Sequence, residues 1–62
     1  MRRYTVICEW TDSENMDADE IVVYADDATQ AVEKARKRWR LEIGMAWPAC
    51  KLEKTFVLTQ PA

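Results

Sequence analysis

The chain has 62 residues, with nine lysines and arginines against 11 acidic residues, a formal net charge of −2, no histidine and a single glycine. That length supports one small domain, 1–62, whose core is thin, because a chain this short buries only about 60% of its unfolded surface. At 48% hydrophobic and 32% charged residues it is too apolar for a disordered tail and too polar for a membrane protein. The lack of histidine removes the commonest general base and the commonest transition-metal ligand. Gly44 alone cannot make a glycine-rich phosphate loop. Cys8 and Cys50 have no CxxC spacing and are too few for a zinc site. The expectation is therefore no enzyme, no cofactor and no metal.

The longest fully apolar run, Ile21 to Ala25, is far short of the roughly 20 residues that a membrane span requires. Arg2 and Arg3 have the look of a signal-peptide start, but Glu9 and Asp12 arrive before any apolar stretch of sufficient length. The expected location is the cytoplasm, with no membrane partner.

In chain order, residues 3–10 alternate, with Tyr4, Val6, Cys8 and Trp10 on one side and Thr5, Ile7 and Glu9 on the other. Their β-branched and aromatic content predicts a strand. Residues 11–19, rich in Asp, Ser and Asn, predict a long hairpin loop, and 20–25 the second strand. Asp27 followed by Gln30 reads as a capping box for a helix over 28–43, with Ala28, Ala31, Val32, Ala35, Trp39 and Ile43 in one stripe. Glu33 and Lys37 are spaced for a surface pair. Gly44 falls where a left-handed cap would end the helix, in which case Met45 folds back onto Trp39. Leu41 points off the stripe, so either the last turn distorts or this side chain is exposed.

Residues 45–49 form an apolar connection in which Pro48 holds Trp47 extended. Residues 50–58 predict a third strand, with Leu52, Phe56 and Leu58 on one face and Lys54 interrupting it. The tail 59–62 is expected to fray. The fold expected from this order is α+β: a single ββαβ domain with a three-stranded antiparallel sheet in order 2-1-3 and one helix packed on one face. A right-handed crossover from the second strand to the third gives that order, and it is expected to bring Cys8 close to Cys50.

Four features are candidates for function. One is the sheet face opposite the helix, where some of Val22, Tyr24, Ile7 and Val57 would form an apolar patch, enlarged at the sheet end by Trp10, Trp47 and Met45; such patches mark interfaces. A small domain also gains core by pairing with itself. Another is the basic run Lys34, Arg36, Lys37, Arg38 and Arg40, in which Arg36, Arg38 and Arg40 would meet phosphates while sheet aromatics stack on bases. A solvated helix face that complements the helix dipole accounts for the same run.

The third is the acidic stretch from Glu9 to Asp27, which has no basic residue. Its Asp12, Glu14 and Asp17 suit a decoy for a basic target site. It lacks the glycine and spacing of a calcium loop. The fourth is the cysteine pair, read as two reduced core thiols.

The stretch EIVVYADDATQAVEKA at 20–35, a strand followed by an acidic cap and an Ala-rich helix, is similar to many small bacterial and phage proteins. It also loosely resembles the ββαβ units of an archaeal ribosomal-protein family, a resemblance that implies RNA contact. Taken together, the expected function is that of a small non-enzymatic binding or accessory module acting through a protein partner or a homodimer. Tyr24, Trp47, Met45 and Trp10 are its expected contact residues. Nucleic-acid or ribonucleoprotein contact is the alternative, and an acidic phage-type inhibitor a further one.

Overall fold

The computed structural model describes residues 1–58; the tail expected to fray, 59–62, lies outside them. Strand β1 covers Arg2–Thr11 and β2 covers Met16–Ala25, followed by helix α1, Ala28–Trp39, a π-helical turn, Arg40–Gly44, and strand β3, Lys51–Val57. The sheet has the order β2-β1-β3 with both pairings antiparallel, and α1 packs against it, so the predicted ββαβ layout is present.

The hairpin is tighter than its composition suggests. Only residues 12–15 turn, because the Asp12 carboxylate accepts the amides of Glu14 and Asn15 through Oδ1, at 2.8 and 2.7 Å, and the Asp12 amide closes on the Asn15 carbonyl at 3.0 Å. With the reversal completed in four residues, the acidic stretch after it extends the ladder: Trp10 pairs with Asp17 and Cys8 with Asp19. The polar side chains at 16–19 therefore belong to a strand, not to the predicted loop.

Strict alternation divides the sheet. On the helix side lie Val6, Cys8, Ile21, Val23 and Ala25, all buried, against Ala31, Ala35 and Trp39 of the helix. The two alanines leave no side chain to hold the helix away from the strands. The Asp27 carboxylate accepts the Gln30 amide at 2.8 Å, and the Gln30 side chain reaches back to the Asp26 amide at 2.8 Å, one residue before the cap. Ala28, counted in the stripe, is exposed. The one ion pair among the described residues joins Arg38 to Glu42 at 3.2 Å, and the spaced pair Glu33–Lys37 does not close.

The helix end departs from expectation. No described residue has a positive φ, so Gly44 is not a left-handed cap. The last turn widens instead, with the Met45 amide bonding the Arg40 carbonyl at 2.9 Å. Met45 stays 72% exposed and does not cover Trp39; Ile43 packs against the core in its place. The distorted turn and an exposed Leu41 occur together.

Strand β3 carries a bulge. Glu9 pairs with Lys54 but Trp10 with Leu52, leaving Glu53 as an extra residue. The bulge reverses the faces: Leu52 joins the helix side opposite Trp10, while Phe56 and Lys54 lie opposite Ile7 and Glu9 on the other side. Lys54 places its ammonium 5.4 Å from the Phe56 ring centre. A single uninterrupted alternation had put Leu52 and Phe56 together.

The register also separates the cysteines. Cys8 lies opposite Thr55, whereas Lys51 pairs with Thr11, so Cys50 falls beyond the ladder, level with Asp12. From Cys8 to Asp12 the strand advances roughly 13 Å, at about 3.3 Å per residue. That is beyond disulfide reach, and both thiols are free. The expected proximity fails because the connection after the helix overshoots the end of β1 before β3 begins.

Candidate functional site

The open face is built by the odd positions of β1 and their partners. Its rows are Arg3 with Tyr24, Thr5 with Val22, Ile7 with Glu20 and Phe56, and Glu9 with Ala18 and Lys54. Leu58 donates its amide to the Thr5 carbonyl at 2.8 Å, which adds it to the second row. The apolar members Tyr24, Val22, Leu58, Ile7 and Phe56 thus form one patch, with Tyr24 58% exposed. Val57, also a candidate for this face, packs on the helix side against the core.

The four expected contact residues do not share this patch. Only Tyr24 lies on the open face. Trp10 is on the helix side at the hairpin end, its ring centre 6.4 Å from that of Trp39, and it donates its indole N–H to Asp19 Oδ2 at 2.7 Å. Trp47 and Met45 project from the connection after the π-helical turn, 61% and 72% exposed. Trp10 faces this way because the even residues of β1 all turn toward the helix.

Trp10 and Trp47 do meet in a second place. With Asp12, Asp19, Ile43 and Cys50 they line a cleft of about 290 Å³ at the hairpin end. Trp47 is held there by its backbone: its amide bonds the Ile43 carbonyl at 2.9 Å, and its carbonyl accepts the Cys50 amide at 3.0 Å. Two backbone amides of the turn hold the Asp12 carboxyl below its ordinary range, so it stays ionised at neutral pH. Partial burial and the nearby Asp12 charge push the Cys50 thiol up, which keeps it neutral and a poor nucleophile. Cys8 is likewise raised, first by burial and then by Asp19. Asp12, Asp19, Ile43 and Cys50 were not read from the sequence as one site, since their convergence depends on the tight turn and on the overshoot before β3.

The basic residues divide. Lys34 donates to the Tyr24 carbonyl at 2.7 Å and Arg38 to the Val22 carbonyl at 3.2 Å, so both cover outward-facing groups of the edge strand β2. Arg38 is further held by Glu42. Arg36 and Arg40 line a shallow groove of about 220 Å³ with Lys37 and Glu33 on the helix. The helix packs on the face opposite Tyr24 and Phe56, so the trio Arg36, Arg38 and Arg40 and the open-face aromatics do not make one surface. Asp12, Glu14 and Asp17 remain together at the hairpin. Among the described residues no group of three Cys, Asp or Glu side chains is placed to hold a metal ion, and no helix is long and apolar enough to cross a membrane.

Comparison with family models, with curated proteins and with solved structures finds no match to this chain.

Proposed function

We propose that this chain is a small non-enzymatic binding module that acts through a protein partner or its own dimer, with the open sheet face as the contact. The observation that carries this reading is the patch Tyr24, Val22, Leu58, Ile7 and Phe56, on a sheet that has a helix over only one side. Contiguous apolar surface of this kind marks interfaces. The cations on the β2 edge favour a face-to-face contact over strand addition there. Lys34 and Arg38 already occupy carbonyls that an incoming strand would pair with. Two free thiols fit a reducing compartment such as the cytoplasm.

Sedimentation equilibrium of the reduced protein, over a wide concentration range at low and high salt, tests the proposal. The expected result is a dimer that survives high salt and is lost in Val22→Lys. A monomer at every concentration removes the dimer and leaves only a different protein for this face. A dimer indifferent to Val22→Lys removes the face itself.

A further inference from the structure

The hairpin-end cleft differs from the open face in chemistry as well as position. Its wall combines two indoles, Trp10 and Trp47, with two carboxylates, Asp12 and Asp19, and contains no basic side chain. Of the Asp19 oxygens, Oδ2 takes the Trp10 indole N–H, while Oδ1 receives no hydrogen bond from the described residues. The cation–π contact among the described residues is Lys54 on Phe56, on the other side of the sheet, so no cation of the described residues stands over either cleft tryptophan. The Cys50 thiol is held neutral, and among the described residues of the wall the charged side chains are Asp12 and Asp19.

An indole face attracts a cation through its quadrupole, and desolvation strengthens that attraction. A carboxylate at the same site supplies the counter-charge. Neither group suits an anion, and a purely apolar ligand would cover the Asp19 carboxylate, whose Oδ1 takes no hydrogen bond from the described residues, without giving it a counter-charge. At about 290 Å³ the cleft lies at the lower end of the size range of small-molecule sites, which leaves room for a compact head group.

We propose that the cleft lined by Trp10, Trp47, Asp12 and Asp19 binds an aliphatic ammonium head group. The cation is carried either by a free small amine or by a lysine side chain of a peptide. The site stands apart from the open face, and either reading survives the failure of the other.

The test is titration of the full chain, followed by the indole N–H resonances in nuclear magnetic resonance spectra. Choline is compared with its uncharged carbon counterpart 3,3-dimethylbutanol, and N-acetyl-lysine methylamide with the norleucine equivalent. Choline binding above its neutral counterpart supports the proposal with a free amine as the source. The lysine derivative binding above norleucine supports it with a peptide source. Trp47→Ala, at an exposed position outside the core, should weaken the bound cation by about three- to thirtyfold. Asp19→Asn, which keeps an acceptor for Trp10 while removing the charge, should weaken it by a smaller factor that fades with salt. If both charged probes bind no better than their neutral counterparts, or binding is unchanged in Trp47→Ala, the proposal is overturned.

Discussion

The two faces of the sheet are cut from the same strands, yet they have opposite fates. On the helix side Val6, Cys8 and Ala25 are fully buried, and Ile21 and Val23 nearly so; one residue along, Val22 and Tyr24 stand in the open. Apolar content alone does not separate them, since both faces have aliphatic and aromatic members. Charge placement does. The helix side keeps Tyr4 with Val23 and Val6 with Ile21 and Val57 free of charge, and the first acid is Asp19, near the end of the helix cover. On the open face Glu20 sits beside Ile7 and Phe56, and Glu9 and Lys54 fill the next row. A helix lying there would bury those charges at a cost its packing would not offset.

The largest test of this contrast is truncation on each side. Trp39→Ala removes the largest side chain of the buried core and should cost about 3–5 kcal/mol, most of the stability available to a domain this small. Val22→Ala on the open face should cost under about 1 kcal/mol. Urea unfolding at low protein concentration, followed by circular dichroism, measures both. Equal losses would mean that the open face is covered in solution, and a concentration-dependent loss at Val22 would assign the cover to a second copy. Trp39→Phe refines the result. The Trp39 indole N–H is buried without a partner among the described residues, so the phenyl ring gives up volume but also an unsatisfied donor, and its cost should be well below that of the alanine.

The covered face depends on where the helix begins, which makes Asp27 the next test. Its carboxylate holds the Gln30 amide while Gln30 holds that of Asp26. Asp27→Ala should cost about 1 kcal/mol in the same unfolding assay, and Asp27→Asn much less, because the amide oxygen keeps the cap. An Asp27→Ala loss near that of Trp39→Ala would show that the first turn, and not the packed stripe, fixes the helix on the sheet.

The parts of the molecule legible in the sequence are those governed by one period or one local motif. Alternation in 3–10, the stripe Ala31, Val32, Ala35, Trp39, the Asp27–Gln30 pair and the right-handed crossover were enough for element order, sheet order and the division of β1 into two faces, but not for which face the helix covers. What stayed hidden depends on an added or omitted residue. Glu53 is one extra residue in β3, and it moves Phe56 to the open face; a period-2 reading has no means of locating it. The Asp12 turn closes in four residues and converts 16–19 from loop to strand. The cleft needed both the tight turn and the overshoot of Cys50, so its tryptophans and Asp12 were visible as candidates for separate surfaces, but not as one site. Tyr24 was visible as a contact candidate, but its place on the open face and its separation from Trp10 required the register of the strands.

The smallest effect is expected at Gly44. A left-handed cap at this position would make any side chain costly, by about 1–2 kcal/mol, and Gly44→Ala would destabilise. In the π-helical turn the backbone has no positive φ, and a Cβ at Gly44 would meet the Trp39 ring at 3.4 Å, an ordinary contact. The substitution then restricts the unfolded chain without straining the folded one, and it should stabilise by about 0.4–1 kcal/mol. The added methyl would lie against the same indole that anchors the covered face, so the gain should be lost in the Trp39→Ala background. A loss of stability on Gly44→Ala would restore the left-handed cap and remove the widened turn. An equal gain with and without Trp39 would keep the turn but detach it from the core.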